Sequence, residues 1–216
     1  MIQWLIVIAT QRADMNILVI AASAPAGSYS ATLAERYVAG VQAGGRARVV
    51  WADLDAESFD PRMTAADLAF YRGNGNLPGD ARREQLRVEA ADLIVLAFPV
   101  YWWSMPALVK GWIDRVFTKG WAFGVGDGQP GRLAGKRVRL IATGGAGAQA
   151  YDGHGYRAAI ATQIEHGVFH YSGVSDVRTH LFLDVESGDD EARVRGLSDA
   201  HALGLSYAAP GSRAAR

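Results

Sequence analysis

The chain has 216 residues, 22 Lys+Arg and 22 Asp+Glu, and this neutral balance gives no electrostatic reason to expect nucleic acid or an anionic membrane as partner. The length suits one domain that buries roughly 70% of its unfolded surface without cross-links. Cysteine is absent, which excludes disulfides, thiolate-bound zinc, iron–sulfur clusters and a thiol nucleophile.

Residues 2–9 (IQWLIVIA) are apolar, but a membrane helix needs about 20 such residues. No basic stretch precedes them, as a secretory signal would require, so a cytoplasmic protein is expected. Met15 stands directly before a second apolar run. Residues 1–14 therefore read as an upstream extension with an alternative start at Met15, an extra edge strand being the competing reading. Asn16–Ala22 (NILVIAA) has the continuous apolar pattern of a strand buried on both faces. Ala31–Val41 follows as a helix, Ala47–Leu54 as a second strand, and residues 55–79 as loop with short helical pieces. Ala81–Ala91 reads as a charged helix with a solvated face. Leu93–Phe98 (LIVLAF) is a third buried strand, and Pro106–Phe117 a helix with proline in its first turn. Gly120–Gly135 is Gly-rich loop, Val138–Ala142 a fourth strand, 155–170 a helix, Val177–Val185 a fifth strand and Asp189–Tyr207 a final helix. One domain thus runs from 15 to 208, and 209–216 reads as a frayed tail.

Five strands alternating with helices imply an α/β fold, a doubly wound parallel sheet with helices on both faces. With five strands the flavodoxin-like order 2-1-3-4-5 is expected. Ligands in such sheets bind outside the carboxyl ends of the strands, near the reversal of strand order. That nominates the loops after strands one, three and four.

Loop one (Ser23–Ser30) holds three hydroxyls before a helix N-terminus, which suits an anion but equally a plain helix cap. It has no Lys or Arg, unlike a nucleoside triphosphatase loop. Loop two (Phe98-Pro-Val-Tyr-Trp-Trp-Ser-Met-Pro106) places three large aromatics where a ligand is expected. A flat ligand or a dimer interface would account for them. Loop three (Thr143-Gly-Gly-Ala-Gly-Ala-Gln-Ala-Tyr151) lets backbone N–H groups approach a ligand closely. Gly145–Ala150 fits G-x-G-x-x-A, but it follows the fourth strand rather than the first, so the dinucleotide fingerprint is set aside. An anion end, an aromatic wall and a set of N–H donors together match the phosphate, ring system and pyrimidine edge of a flavin nucleotide.

Other constellations carry less. His166 and His170 are four apart on a helix, but the Glu of H-E-x-x-H is replaced by Gly167 and no third ligand is evident, so packing is expected and no metal. There is no G-x-S-x-G. Gly131–Lys136 is too short for a P-loop and is followed by Arg137 in place of Ser/Thr.

The block Phe98–Phe117 (FPVYWWSMPALVKGWIDRVF) strongly resembles the signature of the NAD(P)H:quinone oxidoreductase family, which has a flavodoxin-like fold. Asp53-Leu54, Phe59-Asp-Pro61, Gln85, Ala91-Asp92 and Gly120–Gly124 resemble it in the same order, so the likeness spans about residues 16–185. It implies that Pro99, Val100, Tyr101, Trp102 and Trp103 line the flavin ring. It implies that Thr143, Gly144 and Gly145 bind the ring's polar edge, and that Ser23, Ser28, Tyr29 and Ser30 hold the phosphate. Tyr151 and His154 would balance charge during hydride transfer. Trp121 and Phe123 would cover the substrate pocket of the partner in a homodimer. Many members have His-Pro where Ser23-Ala24 stand here, and the spacing from Tyr151 to His154 is shorter than in the mammalian enzymes.

The implied activity is two-electron reduction of a quinone or similar small acceptor by NAD(P)H. The cofactor is FMN, with FAD the alternative, and one shared site gives ping-pong kinetics. A flavin electron carrier and a regulatory flavoprotein of a potassium-efflux transporter are the rival readings.

Overall fold

The computed structural model describes residues 15–22, 27–124, 126 and 130–208; the extension 1–14, Ser23 and the tail 209–216 lie outside the described residues. Strands β1 (Met15–Ala21), β2 (Ala47–Asp53), β3 (Leu93–Pro99), β4 (Arg137–Gly144) and β5 (Asp176–Leu183) form one sheet in the order β2-β1-β3-β4-β5. Every pairing is parallel, as the flavodoxin-like reading requires. Helices α1 (Tyr29–Ala43), α2 (Ala65–Tyr71), α3 (Gly79–Ala90), α4 (Ala107–Val116), α5 (Ala148–Gly153), α6 (Tyr156–Ile160) and α7 (Asp190–Ala208) connect or follow the strands, and a π-helical segment, Ala161–His170, continues α6. No helix among the described residues is long and apolar enough to cross a membrane.

The alternation of side chains along each strand divides the core in two. Ile17 and Val19 of β1 and Val95 of β3 pack with Leu33, Tyr37 and Val41 of α1 and with α7. Leu18 and Ile20, with Ile94 and Leu96, face Val88 of α3 and Val109 and Trp112 of α4. Both faces are therefore apolar, which is why these strands are unbroken hydrophobic runs. Each fully buried Leu, Ile or Val contributes about 1.5–3 kcal/mol of transfer free energy.

Two local expectations change. Residues 148–153 form α5 rather than loop, since Ala148, Gln149 and Ala150 are strong helix formers following Gly147. The charged face of α3 is not simply solvated. Glu84 and Gln85 are buried, and their partners come from α3 itself, from α4 and from Thr118 just beyond α4. Trp112 Nε1 donates to Glu84 (3.2 Å), as does Arg87 (2.9 Å). Gln85 Nε2 donates to the Val116 carbonyl (2.9 Å) and to Thr118 Oγ1 (3.1 Å).

Arg115 closes the same layer. Its side chain is 2% exposed and that of Asp67 4%. Nε donates to Asp67 Oδ2 (3.0 Å), and Nη1 to Asp80 Oδ2 (2.6 Å) and to the Asp60 carbonyl (2.7 Å). Burial alone would raise the Asp67 carboxyl, but hydrogen bonds from Thr64 and Arg115 outweigh it and hold it below its ordinary value. The Arg115 hydrogen bond is the main reason that the Asp80 carboxyl is also held low.

Removing the guanidinium leaves the buried Asp67 carboxylate with its Thr64 hydrogen bonds but no counter-charge, so Arg115→Ala is expected to lose about 3 kcal/mol in urea unfolding. Carboxyls depressed in the folded state give stability that is intact above the unfolded value of about 4 and lost as pH falls through the lower folded values. The wild-type urea midpoint should therefore hold from neutral pH to about 5 and drop in more acid solution, with a shallower drop in Arg115→Ala. Equal stability of the two proteins at neutral pH would contradict this role for Arg115.

Candidate active site

The carboxyl ends of β1, β3 and β4 lie side by side and present the three loops together. Ala22 N–H donates to the Ala97 carbonyl (3.1 Å), tying the first loop to β3, and Val100 N–H donates to the Thr143 carbonyl (2.7 Å), tying the second to the third.

At loop one, Ser28 caps α1 by accepting from Ala31 N–H (3.3 Å), and its hydroxyl lies 3.2 Å from that of buried Ser30. These two oxygens stand at a helix N-terminus, where the first N–H groups and the helix dipole favour an anion. Tyr29 points elsewhere: its hydroxyl donates to the Arg193 carbonyl of α7 (2.8 Å), and the Arg193 guanidinium lies 4.8 Å from its ring centre. Burial raises the Tyr29 phenol. Arg193 supplies a cation beside a loop that has none of its own. The sequence carried only one signal for it, an arginine in the first turn of the helix after the last strand.

Loop two is a two-residue turn. Tyr101 and Ser104 exchange backbone hydrogen bonds (3.0 and 3.1 Å), and the residues between them, Trp102 and Trp103, have φ of 49° and 61°. Both lie in the left-handed region that such a turn demands, which Asn-Gly ordinarily fills. Trp102 is 93% exposed and Tyr101 57%. Trp103 stacks on Tyr156 (centroids 3.7 Å apart, planes 11°) and meets Tyr151 edge-on at 5.4 Å. Ser104 also donates to Gln163 in the π-helical segment. Tyr156 was missed in the sequence because a lone Tyr at a helix start has no periodic signature.

At loop three, Thr143 is buried and Gly144 faces Tyr151, so a methyl group at 144 would overlap the Tyr151 hydroxyl. The N–H groups of Gly145, Ala146 and Gly147 form no hydrogen bond among the described residues. Tyr151 is buried, and burial pushes its phenol up, so it stays protonated at neutral pH. His154 is exposed at the end of α5, with its ring 5.4 Å from Tyr156. The structure thus gathers Pro99–Trp103, Thr143–Gly145, Tyr151 and His154 into one group, with Ser28 and Ser30 at the neighbouring strand end.

Trp121 and Phe123 lie apart from that group. Trp121 is 8% exposed, packed in the core, and its indole donates to Glu89 (2.7 Å), which holds that carboxyl low. The Trp121 indole therefore points into the core, toward α3. Phe123 does remain at the surface, beside exposed Tyr171 (centroids 5.6 Å), and lines an apolar groove of about 290 Å³ with Met63, Phe70, Tyr71 and Phe117. None of the loop-two or loop-three residues lines that groove. His166 and His170 pack edge-on at 6.0 Å, and among the described residues no group of three or more metal-ligating side chains forms.

The arrangement fits a flavin nucleotide by its donor set: hydroxyls at a helix N-terminus, an exposed aromatic turn and a row of unengaged N–H groups. The turn stores strain of about 1–2 kcal/mol per left-handed residue. Trp102 makes little packing to offset it, and Asn tolerates the left-handed region. Trp102→Asn should therefore stabilise the protein by about 1 kcal/mol, a rise in Tm of about 2–4 °C for this size. An unchanged or lower Tm would show that the turn is unstrained.

The family model described as flavodoxin-like fold matches residues 15–203. A Haemophilus influenzae protein named as an uncharacterized NAD(P)H oxidoreductase is 32% identical over 146 residues, covering 67% of this chain and 72% of that protein. The ribosyldihydronicotinamide dehydrogenase [quinone] of Pongo abelii is 32% identical over 165 residues, covering 67% and 71%. The solved NAD(P)H:quinone oxidoreductase of Methanothermobacter marburgensis superposes with a TM-score of 0.82 over 92% of this chain and 99% of that one, at 22% identity, which shows the shared fold. With this match along most of its length, the chain belongs to the flavodoxin-like family, alongside relatives named as NAD(P)H and quinone oxidoreductases.

Proposed function

We propose that this protein is a flavin-dependent NAD(P)H oxidoreductase that reduces quinones or similar flat acceptors by two electrons. The observation that carries the reading is the meeting, at one sheet edge, of the Ser28–Ser30 helix cap, the Trp102–Trp103 turn and the unengaged N–H groups of Gly145–Gly147. The names of the relatives support the same reaction class.

A bound flavin, FMN or FAD, would supply the hydride chemistry. The residues would bind and orient it. Ser28, Ser30 and the first N–H groups of α1 take a phosphate. Pro99, Val100 and the Tyr101–Ser104 turn back one side of the ring system, with Trp103 held in place by Tyr156 and Tyr151. Gly144, Gly145 and their neighbours aim fixed N–H dipoles at the ring's polar edge, and one such preorganised donor is worth about 3 kcal/mol where charge develops. Tyr151, kept protonated by burial, would be a hydrogen-bond donor beside that edge. His154, its ring 5.4 Å from that of Tyr156, would balance charge on the same side of the group.

With one side of the ring backed by the turn, the other would receive NAD(P)H and the acceptor in turn, which gives ping-pong kinetics. The Phe123–Tyr171 pair cannot serve its own subunit's loops from its separate groove. It is the surface offered to a second copy in a homodimer.

The test is an anaerobic visible spectrum of the purified protein reconstituted with FMN, before NADPH, after NADPH and after a simple quinone. The expected result is a flavin band that bleaches and then returns. Absence of flavin binding contradicts the site. Binding without bleaching contradicts the enzymatic reading in favour of an electron carrier.

A further inference from the structure

The β5–α7 loop brings a carboxylate against the donor loop. Val185 N–H donates to the Gly144 carbonyl (3.2 Å) and Asp184 N–H to the Ala146 carbonyl (3.1 Å). These two bonds stitch the loop to residues 144–146. Asp184 has a φ of 61°, left-handed for a non-glycine residue, which turns the chain two residues before Glu186. The Glu186 carboxylate then occupies the space where a side chain on residue 145 would begin: a Cβ there would fall 2.8 Å from Oε2 and 3.2 Å from Oε1. A Cβ on Gly147 would lie 3.9 Å from Oδ1 of Asp184. Glu186 forms no ion pair or hydrogen bond among the described residues. Its charge therefore stands un-neutralised beside three N–H groups that have no partner.

We infer that Glu186 sets the reduction potential of the bound flavin, lowering it by opposing the negative charge that the polar edge gains on two-electron reduction. This inference rests on the proposed binding of that edge at Gly144–Gly147. The N–H dipoles of the loop favour such charge. A carboxylate against the same stretch of backbone disfavours it by Coulomb repulsion, attenuated because Glu186 is at the surface. The two together make the site a stronger reductant than its donor loop alone would, and so extend its acceptors toward those that are harder to reduce. Glu186 is a tuning residue: it touches the loop and acts through its charge alone.

The experiment is the midpoint potential of the FMN-loaded protein, measured by equilibration with a reference dye, for wild type, Glu186→Gln and Glu186→Lys. The carboxamide keeps the shape and removes the charge, and lysine reverses it. The potentials should rise in the order Glu, Gln, Lys. The Gln variant should favour the reduced form roughly threefold to tenfold at low ionic strength, tenfold being about 30 mV for a two-electron couple. The difference should shrink in high salt. The dissociation constant of oxidised FMN should stay within about twofold, which a change of loop structure would not leave untouched. Asp190→Asn, at the first residue of α7, removes a nearby surface charge and should leave the potential unchanged. Equal potentials in all three proteins, or a shift that does not follow the charge, overturn the inference. Failure of wild type to bind FMN overturns the reading on which it rests.

Discussion

The 2.7 Å hydrogen bond from Val100 N–H to the Thr143 carbonyl is the point at which sheet becomes site. It is the next rung of the β3–β4 ladder after Pro99 pairs with Thr143. A parallel ladder fixes both strand ends in register, so the Trp-Trp turn and the glycine loop are set against each other by backbone geometry before any side chain contributes. The apolar runs of β3 and β4 are the reason this rung forms. Both strands are buried on their two faces, and a slip in register would leave polar backbone groups unpaired in a dry core. Strain in the turn and unengaged N–H groups in the glycine loop are tolerated because the ladder beneath them over-determines their positions.

A second, polar scaffold positions the surface around Phe123. Glu84, Gln85 and Glu89 on α3 receive or make hydrogen bonds with Trp112, the Val116 carbonyl, Thr118 and Trp121. Gly120 N–H then donates to the Phe123 carbonyl (2.7 Å), closing the loop that presents the ring. Buried polar groups of this kind are costly unless every one is satisfied. Here they fix the connection that leads from α4 to Phe123. Arg115 does the same between α4 and the 60–80 region.

The fold was legible because hydrophobic runs and their separation encode it. All five strands and their parallel order follow from apolar runs such as NILVIAA and LIVLAF, and the family block Phe98–Phe117 is long enough to be specific. The site was legible at the level of loops and less so at the level of side chains. Nothing local distinguishes Trp121, whose indole is drawn inward by Glu89 from another helix, from Phe123, which stays at the surface. The same holds for Tyr29, whose hydroxyl is claimed by the Arg193 carbonyl of α7, and for Glu84, a charge buried by partners on α4. Tyr156, Arg193 and Glu186 join the site from elements far along the chain. Their roles depend on tertiary placement, which period and composition do not carry.

Whether the three loops form one flavin site is decided by a crystal structure of the protein soaked with FMN. The expected density places the ring system against the Tyr101–Ser104 turn, its polar edge at the N–H groups of Gly145–Gly147 and its phosphate at Ser28 and Ser30. Density elsewhere, or a phosphate at loop three with the ring away from the turn, would contradict a single shared site.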